Sequence, residues 1–96
     1  MAYAEVNGQR LYFEDTGGSG PVIVFSHGLL MDHEMFVPQV AALRDRYRVI
    51  TWDERGHGLT AGATLAPFSY YDSADDLAAL LQHLGIKRAI LAGMSQ

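Results

Sequence analysis

The stretch PVIVFSHG, residues 21–28, decides the fold class of this chain. Its apolar run, Val22 to Phe25, has no polar alternation, which is typical of a strand covered on both faces in a parallel sheet flanked by helices. The polar turn Ser26 to Leu29 ends that strand. Because parallel strands need crossover connections, we expect a helix between this strand and the next one.

The residues that follow predict such a crossover. Pro38 suits the first turn of a helix. One apolar stripe at helical spacing comprises Phe36, Val40, Leu43 and Tyr47. A second apolar run, Val49 to Trp52, then ends in the polar turn Asp53 to Gly58. Strand, helix and strand in this order predict a βαβ unit.

The segments on either side extend this α/β pattern. Upstream, the β-prone runs Tyr3 to Val6 and Gln9 to Glu14 are joined by Asn7-Gly8, which predicts an antiparallel hairpin with a type I′ turn. Downstream, the region from Leu59 to Tyr71 is predicted to be a loop, because it contains scattered glycine and proline.

A second helix is predicted after this loop. Asp72 or Ser73 is its expected N-cap, with Asp75 and Asp76 in the first turn, where negative charge suits the helix dipole. Gly85 is expected at the C′ position. The core-facing stripe consists of Leu77, Leu80, Leu81 and Leu84.

The last predicted strand, Ile86 to Ala92, is expected to be buried and is followed by Gly93-Met94-Ser95-Gln96. A serine directly after a strand and two residues beyond a glycine is the arrangement of a nucleophile elbow, in which a sharp turn exposes the hydroxyl to a base. Of the signature Gly-x-Ser-x-Gly, the sequence shows the first four positions. A strand-ending turn with a solvated serine is the alternative interpretation.

Three polar turns that each follow a buried strand are expected to lie together at one rim, where open parallel sheets bind ligands. Acyl-transfer chemistry at this rim needs N–H donors for an oxyanion, and the candidates are the backbone N–H groups of Leu29 and Gln96. Asp53, Glu54 and Arg55 are interpreted as a solvated, partly paired loop, with a local charge network that holds the turn as the alternative.

The histidines leave two interpretations open. His27 and His57 are either candidates for the general base or, as we favour, hydrogen-bonding groups that pin their turns. His33 and His83 carry weaker signals, since the first lies in an acidic loop and the second on the polar side of a helix. No predicted helix carries His-x-x-x-His or Glu-x-x-His spacing, so neither a metal nor another cofactor is predicted.

Composition excludes several classes of protein. The chain has 96 residues, 49% hydrophobic and 19% charged, which favours one globular domain or less. Its net charge of -4 disfavours binding to nucleic acid or an anionic membrane. It contains no cysteine and starts without an apolar signal core, so a cytoplasmic location is expected. No apolar stretch approaches the roughly 20 residues that a membrane span needs.

Together these features resemble the α/β-hydrolase fold enzymes. The likeness spans nearly the whole chain: a leading hairpin, a strand ending in His27-Gly28, the turn DERGHG at residues 53–58, a leucine-striped helix and Gly93-x-Ser95-x. It implies the N-terminal part of an α/β-hydrolase core, with an antiparallel hairpin followed by parallel strands and crossover helices. Residues 1–96 are then expected to be one incomplete domain.

The resemblance also implies roles for individual residues. Ser95 would be the nucleophile, with the oxyanion hole formed by the N–H groups of Leu29 and Gln96. Structural turns near the site would be those of His27, Gly28, His57 and Gly93. In this family an acid and a histidine base follow the nucleophile much later in the chain. The segment alone is therefore expected to be inactive, with an acyl substrate and the missing C-terminal segment as its partners.

The implied activity is that of a serine hydrolase acting on a carboxylic ester or related acyl substrate. Within the family, the chain resembles soluble bacterial-type esterases and 3-oxoadipate enol-lactonase-like members. Hydrolysis of enol-lactones or carbon-carbon bonds, and perhydrolysis, stay open. Epoxide hydrolases and haloalkane dehalogenases share the layout but place an aspartate where Ser95 stands. Two alternatives of other classes are a ligand-binding protein without turnover and a small α/β domain with incidental turns.

Overall fold

A computed structural model describes residues 2–6, 8–27, 32–54 and 70–93, with the backbone alone for residues 70–73. Five strands, a short 3-10 helix and two α-helices make up the described chain. In chain order they are β1 (Ala2–Val6), β2 (Gln9–Asp15), β3 (Val22–Ser26), the 3-10 helix (His33–Phe36), α1 (Val37–Leu43), β4 (Arg48–Trp52), α2 (Tyr70–His83) and β5 (Ile90–Gly93).

The strands form one mixed sheet in the order β1-β2-β4-β3-β5. β1 and β2 are the antiparallel hairpin, and β2 also pairs antiparallel with β4. β3 is parallel to both β4 and β5, with Val24 opposite Ile50 on one side and Leu91 on the other. The α/β expectation of a leading hairpin followed by parallel strands is therefore confirmed.

Helices cover both faces of β3 and β4, as the unbroken apolar runs predict. On one face, Val24, Ile50 and Trp52 are buried together with Leu80 of α2. On the other face, a second core cluster holds Ile23, Phe25, Phe36 and Val49. Burial of one such side chain contributes roughly 1.5–3 kcal/mol, so the two clusters fix the register of the central strands.

The first predicted helical stripe is confirmed as a packing surface. Val40, Leu43 and Tyr47 pack against the second cluster, and the Phe36 ring stacks on that of Phe25 with 4.8 Å between the centroids. Pro38 lies in the first turn of α1. The helix itself is short, because Phe36 belongs to the preceding 3-10 helix and Tyr47 lies beyond the last turn.

The predicted start of α2 is wrong. The helix begins at Tyr70, so Asp72 and Ser73 lie inside it and cannot be its N-cap. Acidic residues are favoured throughout the first turn of a helix, so this preference does not define the residue at which the helix begins. Asp76 consequently lies in the second turn and is fully buried.

The end of α2 follows the prediction. Gly85 has a φ of 72°, in the left-handed region that favours glycine. Its N–H donates to the Gln82 carbonyl at 3.0 Å, and the Ile86 N–H donates to the Leu81 carbonyl at 2.9 Å. These two bonds are the Schellman motif, which satisfies carbonyls left open by the last helical turn. The leucine stripe above it packs on the first core cluster.

The last strand is shorter and more exposed than predicted. β5 begins at Ile90 rather than Ile86, because Ile86 and Ala89 pack beside α2 on the first core cluster. Among the described residues β5 forms an edge of the sheet, which leaves Ile90 54% and Leu91 63% exposed. The expectation of a buried strand is therefore wrong for this side of the sheet. Within the described ranges, no helix has the length and apolar composition needed to cross a bilayer.

Candidate active site

The carboxyl ends of the three parallel strands lie side by side. Ser26, the last residue of β3, is opposite Trp52 of β4 and Gly93 of β5. The indole Nε1–H of Trp52 also donates to the Ser26 hydroxyl at 2.8 Å. The three polar turns predicted from the sequence thus start at the same end of the strands, and α/β proteins bind ligands at this end of the sheet.

Several predicted site residues lie outside the described residues. They are the proposed nucleophile and the two proposed oxyanion donors, together with two residues of the adjoining turns: Ser95, Leu29, Gln96, Gly28 and His57. Their roles remain predictions. His27 and Gly93, by contrast, are described, and each lies at the carboxyl end of a strand.

His27 connects the ends of β3 and β4. It is fully buried, and its Nε2 accepts a hydrogen bond from the backbone N–H of Glu54 at 2.8 Å. An accepting Nε2 places the ring proton on Nδ1, which lies 3.4 Å from the Glu54 Oε2 atom. Both ring nitrogens therefore face Glu54, an arrangement that favours a structural role over that of a general base.

Asp53 and Glu54 are not solvated, contrary to the preferred interpretation of the sequence. Asp53 is 0% and Glu54 3% exposed. The reason is hydrogen bonding, since a buried carboxylate is tolerated where donors compensate for the lost water. Donors to Asp53 include the backbone and ring of His33, a residue that no sequence motif marked as important.

His33 is anchored to Asp53 twice. Its backbone N–H donates to Asp53 Oδ1 at 2.7 Å, and its ring Nδ1 lies 2.8 Å from Oδ1 and 2.9 Å from Oδ2. The expectation of a plain loop histidine is wrong, because His33 is buried at the start of the 3-10 helix. In the sequence, the acidic neighbours Asp32 and Glu34 indicate a solvent-exposed loop, so they give no sign that His33 is buried. Twenty residues separate it from Asp53.

Tyr12 and Glu14 of β2 extend this network toward the surface, where the Glu14 side chain is 50% exposed. The Tyr12 hydroxyl donates to Glu14 Oε2 at 2.6 Å, and that oxygen lies 3.5 Å from Nε2 of His33. The Tyr12 ring packs on the His33 ring with 4.8 Å between the centroids. The hydrogen bond to the Glu14 carboxylate, with burial as the next cause, raises the pKa of Tyr12 from 10.0 to about 12.

Gly93 allows β5 to approach β3 closely. A Cβ atom at this position would lie 3.3 Å from the carbonyl oxygen of Ser26. A glycine two residues before Ser95 thus has a physical reason in the described part of the chain, namely the tight contact between two strand ends. That contact places Gly93 beside Ser26, the residue that precedes His27.

Hydrogen bonds hold the described part of the rim together. Within it, no three or more His, Asp or Glu side chains are grouped as metal ligands would be. Its histidines and carboxylates are engaged with one another across strand ends. These hydrogen bonds join the end of β3 to the end of β4, and the end of β4 to the start of the 3-10 helix.

The sequence matches the model of the α/β hydrolase fold family over residues 21–96. It is 40% identical over 77 residues to the 3-oxoadipate enol-lactonase 1 of Acinetobacter baylyi, an alignment covering 80% of this chain and 28% of that protein. It is also 40% identical over 78 residues to the 2-(acetamidomethylene)succinate hydrolase of Mesorhizobium japonicum, covering 81% of this chain and 28% of that one.

A solved structure gives the same result for the fold. The enol-lactonase from Burkholderia xenovorans superimposes with a TM-score of 0.91 and 39% identity, over 98% of this chain and 37% of that one. The chain thus spans less than two fifths of the length of these relatives. The family match, the strand order and the shared rim agree, and the chain belongs to the α/β-hydrolase family.

Proposed function

We propose that the whole protein is a serine hydrolase that forms an acyl-enzyme on Ser95. The observation that carries this proposal is the pairing of Gly93 with Ser26 at the carboxyl ends of β5 and β3. Ser95 follows Gly93 by two residues, and Leu29 follows Ser26 by three. In the sequence, the proposed nucleophile and one proposed oxyanion donor therefore closely follow two adjacent strand ends.

In the proposed reaction, the Ser95 hydroxyl attacks the carbonyl carbon of the substrate. The tetrahedral oxyanion accepts hydrogen bonds from the backbone N–H groups of Leu29 and Gln96. The alcohol or enolate leaves, and water then releases the acyl group from Ser95. A histidine base and its acidic partner, supplied by a further part of the protein, would activate both nucleophiles. We expect residues 1–96 alone to be inactive, because losing any triad member costs several powers of ten in rate.

The proposed substrates are carboxylic esters, including cyclic ones. Support for esters comes from the relative that is an enol-lactonase. The 2-(acetamidomethylene)succinate hydrolase, whose named substrate carries an amide, supports the wider class of acyl substrates. An enol-lactone is a cyclic ester, so its opening needs the same attack and the same oxyanion hole as a linear ester. The cysteine-free sequence suits a reducing cytoplasm, which is the proposed location.

The direct test is covalent labelling of the full-length protein with a fluorophosphonate. We expect one label per molecule, located on Ser95 by mass spectrometry, and no label in the Ser95→Ala variant. A matched control is Ser19→Ala, which changes an exposed loop serine and should label like the wild type. A folded wild-type protein that takes up no label would contradict the hydrolase and favour a ligand-binding protein on the same fold.

A further inference from the structure

β1 is an outer strand of the described sheet. It pairs with β2 alone, so no described residue pairs with the backbone groups along its other side. Such an edge accepts a strand of another chain unless proline, lysine or a covering element blocks it. The sequence of β1, AYAEV, contains neither proline nor lysine. The side chains beside this edge therefore decide which strand it can accept.

Two opposite charges lie on the same face of the hairpin without pairing to each other. Glu5 of β1 is directly opposite Arg10 of β2, and both residues are exposed. Opposite charges in this position stabilise a hairpin when they pair. Here the Glu5 carboxylate has no ion pair with any described residue, and the Arg10 guanidinium lies over the Tyr3 ring, with its Cζ atom 4.1 Å from the ring centroid. Both charges are therefore available to a partner.

An aromatic pair holds Arg10 in this position. The Tyr3 ring packs edge-to-face on the buried Tyr12 ring, with 5.3 Å between the centroids. A guanidinium over the face of a tyrosine is attracted by the electrons of the ring. Because Tyr3 belongs to β1, this contact brings the positive charge of Arg10 from β2 toward the open edge. The edge thus presents a cation at residue 3 and a carboxylate at residue 5.

We propose that β1 pairs antiparallel with β1 of a second copy of this protein, about a two-fold axis at Ala4. In this register Tyr3 is opposite Glu5 of the second copy, and all five residues of each strand are paired. Directly opposed side chains share one face of a sheet, with Cβ atoms about 4.5–5.5 Å apart. Glu5 of the second copy therefore lies beside the Tyr3 ring that carries the Arg10 guanidinium. The two-fold axis forms this ion pair twice.

The charges select this register over its neighbours. Registers that keep each side chain on its own face differ by two residues. A shift in one direction places Glu5 opposite Glu5 of the second copy, and like charges in this position are destabilising. A shift in the other direction places Tyr3 opposite Tyr3, and Glu5 then lies beyond the end of the second strand. Only the register centred on Ala4 joins opposite charges along the whole of β1.

The other face of β1 suits the same pairing. Ala2 and Val6 are partly buried on the first core cluster, and Ala4 between them is fully buried. In the proposed register Ala2 is opposite Val6 of the second copy, and Ala4 is opposite its own counterpart. The pairing therefore covers apolar surface that the single chain leaves partly exposed, which favours association.

The test is sedimentation equilibrium of the full-length protein, for which we expect a concentration-dependent dimer. Glu5→Arg places two positive charges together at each contact, and Arg10→Glu places two negative charges there. Each variant alone should bind itself at least about 10-fold more weakly than the wild type. An equal mixture of the two variants should form a heterodimer within about 5-fold of the wild-type affinity, because position 10 of each chain again meets the opposite charge at position 5 of the other.

The mixture separates contact between chains from stability of the hairpin. Within each variant chain, positions 5 and 10 carry like charges whether or not the other variant is present. Recovery of the dimer on mixing therefore reports the contact between chains alone. The matched control is Glu34→Arg, which makes the same charge change at an exposed residue of the 3-10 helix. It should leave the dimer affinity within about 2-fold of the wild type.

Three results would overturn the proposed dimer. They are a wild type that stays monomeric at every concentration measured, a mixture of Glu5→Arg and Arg10→Glu that forms no heterodimer, and a dimer that Glu34→Arg weakens as much as Glu5→Arg does. A dimer weakened by Leu91→Lys but not by Glu5→Arg would place the interface at β5 and also contradict the proposal. None of these results depends on Ser95, so the proposed hydrolase is tested separately by its labelling.

Discussion

The surroundings of the Tyr12 side chain change the pKa of its hydroxyl. Its hydroxyl donates to the Glu14 carboxylate, and its ring is buried against His33. Ionising the phenol would place a second negative charge beside that carboxylate and lose the hydrogen bond. These effects favour the protonated form and raise the pKa of Tyr12 to about 12.

Tyrosine titration followed by ultraviolet absorbance should detect this group. Because the pKa of Tyr12 in the folded protein is raised from 10.0 to about 12, its contribution to stability is complete below pH 10 and is lost as the pH rises toward 12. The difference between the wild type and Tyr12→Phe should therefore show one phenol titrating near the upper value. A difference curve centred near the ordinary value would contradict the bond to Glu14.

The positions and contacts of the residues at the rim were only partly predictable from the sequence. A glycine before the Ser95 turn and a histidine after β3 are local signals, and both lie at strand ends in the structure. The hydrogen bond from His33 to Asp53 joins residues that are far apart in the sequence, so no local pattern predicts it. Acidic neighbours in the sequence indicated that His33 and Asp53 are solvated. The donor and the acceptor come together only in the folded sheet.

At the scale of elements, the apolar pattern correctly predicted the strands whose burial in the folded protein matches their local sequence. The unbroken runs of β3 and β4 predicted strands buried on both faces, and the structure confirms them. The limits of α2 and β5 were predicted less well. The start of a helix depends on where the chain arrives, and Ile86 packs beside α2 instead of joining β5 because the Gly85 turn directs it there.

Gly85 gives a prediction at this scale. A Cβ atom there would meet no neighbour within 4 Å, so the left-handed backbone is the only obstacle to substitution. We expect Gly85→Ala to lower the free energy of unfolding by about 1 kcal/mol, as measured by urea denaturation. Gly85→Asn should cost less, because asparagine tolerates this conformation. Equal stability of Gly85→Ala and the wild type would contradict the Schellman ending of α2.

At the scale of the whole molecule, the described sheet has an unusual edge. Ile90 and Leu91 of β5 point to opposite faces, yet both are more than half exposed. An apolar strand with unpaired backbone groups invites pairing with another chain. We expect the 96-residue chain in isolation to associate with itself, and Leu91→Lys to weaken this association in sedimentation experiments.

Val37 offers the matched control for this prediction. Its exposed fraction of 60% is similar to the 63% of Leu91, but Val37 belongs to α1 and not to β5. Val37→Lys should therefore leave the association unchanged. Equal effects of the two substitutions would show that general surface polarity, rather than the β5 edge, controls association.

Different observations support the family membership of this protein and its proposed reaction. The strand order, the family match and the superposition on an enol-lactonase agree on the fold. A fold shared by many enzymes leaves the reaction to the groups at the rim, so the proposal depends on Ser95 and on two backbone amides. The pairing of Gly93 with Ser26 supports it, because Ser95 and Leu29 follow these two residues closely in the sequence.

The most direct measurement is a crystal structure of the full-length protein after reaction with a fluorophosphonate. The account predicts a phosphorus atom bonded to Oγ of Ser95, with the phosphonyl oxygen about 3 Å from the backbone nitrogens of Leu29 and Gln96. A phosphorus atom on another residue would contradict it. So would an adduct on Ser95 whose phosphonyl oxygen lies beyond hydrogen-bonding distance of both amides.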